Sequence, residues 1–347
     1  MPDLYLLSLI LSLLGAVIAL VVGLWARPLG EAFVLLDHPD PSGGRKLHLE
    51  VTPLVGGFAV VTAGLLGVSV LSLLDPALGS NLSIGFWFAA SVFGMFLVGV
   101  LDDRDDLPPL ARLFITGLVL LVPVLMVPEF QVRELHFVIR DTRFHLEGIL
   151  GIGFTLLCLV GLLNAVNMAD GKNGLVIGQA IIWSVVLAIR LPADLLPLMG
   201  AIMGALVVLL HFNLRGRLFL GDGGSYAISA MFGLLAILAW NLRDGAFHAG
   251  DIVVIFALPV IDTLRLIGHR LLEGRSPFDP GRDHLHHYLH RRWRWPAPLP
   301  FVLGLVAVTN AGALLMPGTG LHWSAVTLVG YVAMLFLAMR EPRRAGA

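Results

Sequence analysis

The apolar run FGMFLVGVL ends directly in four carboxylates, so that residues 101–106 read LDDRDD, with Asp102, Asp103, Asp105 and Asp106 acidic. Negative charge at the C-terminal end of a helix opposes the helix dipole. Carboxylates at a membrane boundary are costly without a partner. A solvated helix end would explain the charges only as boundary markers. A cation, or a phosphate surrounded by bases, would give them chemistry.

Three other segments hold residues able to share that chemistry. FLGDGGS (219–225) sets Asp222 among three glycines. Glycines let backbone approach a ligand, and the helix start that follows favours anions. A carboxylate there suits a Mg²⁺ whose remaining ligands include phosphate oxygens, although a tight turn capped by Asp would leave the same pattern. NAVNMADGKNG (164–174) spaces Asn164, Asn167, Asp170 and Asn173 three apart, which drifts slowly around one side of a helix. Asn164 fits helix packing, and the other three fit a shared cavity. GRDHLHHYLHRR (281–292) holds His284, His286, His287 and His290 beside Arg282, Arg291 and Arg292. A zinc site lacks a matching ligand set. The arginines point to anion binding, with imidazoles donating to phosphate, and a basic loop on lipid headgroups is the simpler alternative. Asp262 and Arg265, at i and i+3, read as a structural pair.

These motifs need a scaffold, and composition defines it. Of 347 residues, 57% are hydrophobic and 14% charged, with mean hydropathy +0.86, which describes a polytopic membrane protein. Spans need about 20 apolar residues. About eleven can be placed, near 4–25, 53–74, 84–101, 110–127, 148–168, 174–190, 194–213, 224–241, 251–268, 298–316 and 323–340. The expected fold is all-α, one transmembrane domain over 1–347, with the chemistry on one membrane face. The first segment lacks a basic n-region and a small-residue cleavage site and reads as a retained helix. Lys and Arg concentrate in the loops after alternate helices, which places the N-terminus outside and the C-terminus in the cytoplasm. All the polar motifs fall in the cytoplasmic loops and can converge. The longest outer loop, 132–148, alternates around Arg140, Asp141 and Thr142 and predicts a small β-hairpin. Cys158, the single cysteine, excludes a disulfide framework and reads as packing. The net charge of −1 gives no reason to expect nucleic acid.

Taken in order, RKLH with TPLVGG (45–57), LDDRDD, NAVNMADGKNGL (164–175), FLGDGGS and SPFDPGRDHLHH (276–287) resemble the polyprenyl-phosphate N-acetylhexosamine-1-phosphate transferase family (glycosyltransferase family 4). The closest likeness is to its bacterial branch that uses undecaprenyl phosphate and UDP-GlcNAc. The resemblance covers most of the chain, and the family has eleven helices. It implies a bacterial inner-membrane enzyme in whose reaction the lipid phosphate attacks the β-phosphorus of UDP-GlcNAc. The products would be undecaprenyl-pyrophosphoryl-GlcNAc and UMP, the first membrane step of a cell-envelope glycan such as O-antigen. It implies Mg²⁺, with Mn²⁺ as a substitute, held by Asp222 and Asn167. Asp102 would align the lipid phosphate or act as base, with Asp103, Asp106 and Asp170 beside it, while Asp105 falls in the variable part of the motif. Arg282, His284, His286 and His287 would bind the diphosphate, and Lys46 and Arg112 phosphate charge. Asn173 stands where many bacterial members have Asp, which favours a neutral hydrogen bond to uracil there over a metal ligand.

Three alternatives stay open. One is the phospho-MurNAc-pentapeptide branch, whose histidine segment is built differently; another is transfer of a different UDP-N-acetylhexosamine. The third is a transporter, which would keep polar groups near the bilayer midplane rather than at one face. A homodimer is compatible with the sequence.

Overall fold

The computed structural model describes residues 2–39, 50–74, 82–138, 141–242, 248–277, 281 and 283–340. Lys46 and Arg282, two of the expected phosphate-binding residues, lie outside them. The N-terminal half runs α1 (Pro2–Leu24), α2 (Ala26–Phe33), strands β1 (Leu36–Asp37) and β2 (Thr52–Pro53), α3 (Gly56–Leu74), α4 (Leu82–Asp105) and α5 (Pro109–Met126). Strands β3 (Glu134–Phe137) and β4 (Thr142–His145) follow. The rest is α6 (Ile149–Ala169), α7 (Leu175–Arg190), α8 (Leu196–Leu214), α9 (Gly221–Leu242), α10 (Ala249–Ile255), α11 (Ala257–Leu272), α12 (Leu285–Arg292), α13 (Leu299–Leu315) and α14 (Gly320–Met339). Helices dominate because hydrocarbon offers no partner to backbone N–H and C=O groups.

Every apolar segment read from the sequence carries helix, and the expected hairpin is β3–β4, paired from Glu134↔His145 to Phe137↔Thr142. Eleven crossings are not confirmed, however. Among the described residues eight helices are long and apolar enough to span. The segment expected as one helix over 251–268 is broken into α10 and α11, bent by 80°. Pro259 explains the break: it has no N–H for the carbonyl of Ile255, and its ring crowds that carbonyl. Helices α7 and α13 have 16 and 17 residues.

Helix α9 is the central mast. Its apolar window is 83% buried, against 22% for α5 and 11% for α14. Small residues let its neighbours come close. A side chain at Gly99 of α4 would strike the backbone of Asp222, and one at Gly57 of α3 would come within 2.6 Å of the Gly224 nitrogen. Helices α1 and α8 pack by the same device, through Gly15, Gly200 and Gly204 against facing backbone.

The TPLVGG motif sits against the start of α9. Gly56 and Gly57 donate backbone N–H to Phe219 and Leu220 carbonyls at 2.9 and 3.1 Å, and Phe219 returns one to Pro53 at 2.8 Å. Two glycine-rich stretches 163 residues apart are therefore zipped together by backbone, which fixes the approach to Asp222.

Candidate active site

Asp103 caps α9 from another helix. Its carboxylate accepts the backbone N–H of Asp222 at 2.9 Å and of Gly223 at 3.1 Å. The four free N–H groups at a helix start need such partners, and charge-assisted bonds are the stronger kind. Gly221 makes room: its φ is +74°, and a Cβ there would lie 2.7 Å from Asp103 Oδ2. The end of α4 and the start of α9 are thus one unit.

Asp102 is buried and has three donors. Leu107 N lies 3.0 Å from its Oδ1, while Arg112 Nη1 and Tyr226 Oη lie 3.1 and 2.6 Å from its Oδ2. The carboxylate ties α4, α5 and α9 together and holds Arg112 at a fixed height. Tyr226 was not singled out from the sequence. Its signal was there, since it stands one helical turn beyond Asp222 and so on the same face.

Asn167 comes from the end of α6. Its Nδ2 donates to Asp222 Oδ1 at 2.6 Å and to Ser225 Oγ at 3.1 Å. Asp170, at the C-cap of α6, is pushed well above the ordinary carboxylate range by burial first, then by the charges of Asp222 and Asp103. Four carboxylates in one partly desolvated space repel one another, and such a set holds either protons or a cation. All the donors are hard oxygens, which suits Mg²⁺.

The histidines are positioned by Asp262. Its carboxylate accepts His284 Nδ1 at 2.9 Å, Leu285 N at 3.1 Å and Tyr331 Oη at 2.7 Å. Arg265 lies 3.4 Å from it and also donates to the Asp283 carbonyl. The pair read as structural therefore also anchors the start of α12, across a gap no local pattern reveals. Asp262, His284 and His286 bring one ligand atom each to within 4.8 Å of one another. Four donors already engage Asp262, so the cluster is a hydrogen-bonded brace rather than an open metal site. The rings of His284 and His286 lie 5.3 Å apart and nearly parallel, and His287 lies 4.3 Å from His286. Burial holds His286 well below the ordinary imidazole value, and the neighbouring His287 and His284 add to this. Gly171 makes space for it, since a Cβ there would strike Nε2.

One cavity of ≈ 1970 Å³ joins the two groups. Asp106, Arg112, Asn167, Asp170, Asp222, His284, His286 and His287 all line it. Asp102 and Asp103 stand behind this wall, holding Arg112 and Asp222. Asp106 is exposed, with φ +48°, and Asp105 is exposed away from the cavity. Asn173 lies to one side, its carbonyl accepting Trp295 Nε1 at 2.9 Å. Away from the charged end the cavity is an apolar groove along α6, α9 and α11.

The fold and this site define a membrane-embedded transferase, and the comparisons agree. The model for glycosyl transferase family 4 matches residues 85–240. The decaprenyl-phosphate N-acetylglucosaminephosphotransferase of Mycolicibacterium smegmatis is 27% identical, over 96% of this chain and 89% of its own. The undecaprenyl-phosphate alpha-N-acetylglucosaminyl 1-phosphate transferases of Yersinia pestis and Escherichia coli K12 are 29% and 28% identical, each over 84% of this chain and 77% of theirs. Over residues 85–240 the chain is similar to glycosyl transferase family 4.

Proposed function

We propose that this protein transfers GlcNAc-1-phosphate from UDP-GlcNAc to undecaprenyl phosphate. One observation carries the reading: a single cavity joins a carboxylate cluster and an imidazole cluster at one membrane face to an apolar groove running into the bilayer. That is the shape of a reaction between a water-soluble diphosphate and a lipid headgroup. An oxygen of the lipid phosphate attacks the β-phosphorus of UDP-GlcNAc, the bond from that phosphorus to the bridging oxygen breaks, and UMP leaves.

Phosphoryl transfer asks mainly for alignment and charge stabilisation. Arg112, held by Asp102, which also accepts the Tyr226 hydroxyl, would receive the acceptor phosphate at the groove mouth. That phosphate is already ionised near neutral pH, so Asp102 serves as an aligner and no base is required. His284 and His287 would meet the donor diphosphate, with His286 setting their position from between them, and Lys46 and Arg282 would add cationic charge. Asn173 would offer its amide to uracil. Mg²⁺, which the oxygen donors of Asp222, Asn167 and Asp170 suit, would neutralise the diphosphate when bound, and Mn²⁺ would substitute. The site would face the cytoplasm of a bacterial inner membrane, with the N-terminus outside and the C-terminus inside.

Purified protein offered undecaprenyl phosphate and separate UDP-sugars tests the reading. UMP release with UDP-GlcNAc and not with UDP-MurNAc-pentapeptide is expected. Preference for the pentapeptide donor, or no release with any donor, would overturn it.

A further inference from the structure

His286 and His287 of α12 line the cavity, whereas Arg291, Arg292 and Arg294, further along the same segment, take no part in its lining. All three arginines are exposed, and no carboxylate among the described residues pairs with any of them. Two of the guanidinium groups lie against aromatic rings, Arg291 4.4 Å from the Tyr288 centroid and Arg292 5.5 Å from that of Trp293. Trp293 is itself 39% exposed. Cations at a helix C-terminus complement its dipole, but that calls for neither an exposed tryptophan nor a third arginine beyond the helix end. The depth of this patch is set by α14. Leu285 and Leu289 share an apolar cluster with Tyr331 and Ala338 of α14, and Asp262 accepts both Leu285 N and Tyr331 Oη, at 3.1 and 2.7 Å. Helix α14 is long and apolar enough to span, and only 11% of its apolar window is buried, so most of it faces lipid. It ends at Met339, and the exposed Arg340 follows, 4.4 Å from the Phe336 ring. A span that ends in arginine marks the depth where hydrocarbon gives way to headgroups. Helix α12 packs against that end, which puts its arginines and Trp293 in the layer that such side chains favour.

We infer that Arg291, Arg292 and Arg294, with Arg340, form a docking surface for the phosphate groups of anionic bilayer lipids, and that this docking holds the histidine helix in place. Guanidinium forks match phosphate oxygens, and basic clusters on a membrane-surface helix draw anionic lipid. The occupant is bilayer lipid rather than a soluble nucleotide, because the patch lies outside the cavity and at headgroup depth. Phosphate binding in a site and a basic surface on lipid, the two readings of the histidine segment, thus belong to different residues of one helix. The inference does not depend on which donor the site takes.

Amide hydrogen exchange of the full chain in nanodiscs tests this and needs no turnover. Discs of phosphatidylcholine alone are compared with discs of an equal mixture of phosphatidylcholine and phosphatidylglycerol. In the wild type, exchange over residues 285–292 should slow at least about fivefold in the mixture, and high salt should remove the gain. The variant carrying Arg291→Gln, Arg292→Gln and Arg294→Gln should match the wild type in phosphatidylcholine, which also reports that it folds, and show no slowing in the mixture. A second variant, with Arg104→Gln, Arg215→Gln and Arg217→Gln, removes the same charge from other exposed positions at that end of the bundle and should keep the slowing. Wild-type exchange that ignores lipid charge would overturn the proposal. So would an equal loss in the second variant, since the attraction would then be diffuse. Faster exchange of the first variant in phosphatidylcholine alone would reduce the arginines to a cap on the helix dipole and overturn it too. If that variant instead lost UDP-GlcNAc binding in phosphatidylcholine discs, the patch would serve the soluble donor and the proposal would fall.

Discussion

Gly171 and His286 show how little room the site has. A methyl at Gly171 would strike the His286 ring, and overpacking of this kind costs about 1–3 kcal/mol. Gly171→Ala should lower kcat/KM for UDP-GlcNAc at least about tenfold together with the melting temperature. Unchanged kinetics would mean that His286 can move freely. Because burial keeps His286 neutral in the folded protein, the unfolded chain binds a proton near the ordinary value of ~6.5 that the folded one refuses. Its contribution is therefore complete above that pH and lost as pH falls below it. His286→Gln should make the melting temperature less sensitive between pH 7.5 and 5.5, and a drop as large as the wild type's would contradict the assignment. For the carboxylates, Asp222→Ala should abolish transfer and also the rise in melting temperature on adding Mg²⁺. Asp105→Ala, exposed and away from the cavity, should leave both intact. Residual Mg²⁺ stabilisation in the Asp222 variant would move the metal elsewhere.

At the scale of helices, the site depends on two of them touching. Gly99→Ala would push α4 off the backbone of Asp222 and pull Asp103 from the two N–H groups it caps. Transfer and thermal stability should both fall. Gly117→Ala on α5, where a Cβ meets nothing within 4 Å, should be neutral or gain up to about 1 kcal/mol from helix propensity. Equal behaviour of the two variants would remove the α4–α9 contact from the account. The helices themselves were legible because apolar length is a local property of the sequence. The break at Phe256 was not read, since its cause is one proline inside an otherwise apolar run. LDDRDD, FLGDGGS and the histidine segment were legible because polar residues in so apolar a chain stand out. What each residue binds was not, since Asp103 finds Asp222 and Asp262 finds His284 across gaps without local pattern. Tyr226 escaped notice because a phenol in a membrane helix has many ordinary explanations.

Considered whole, the molecule sets its carboxylates and its β-hairpin at opposite ends of α6. Cysteine placed at Arg143 on the hairpin should react with an impermeant maleimide from outside intact cells, and cysteine at Arg291 only after permeabilisation. The reverse pattern would invert the proposed orientation. The burial of α9 has a consequence for how the protein is made. Helices α3, α4, α6 and α7, which pack around it, all precede it in the chain. Chains are folded from the N-terminus as they are synthesised, so α9 emerges into a slot its neighbours have already formed. Its arrival brings Asp222 under the waiting cap of Asp103. Catalytic competence then begins with a late step of biogenesis, and a ribosome stalled before residue 221 would leave behind a bundle with an empty centre and no site.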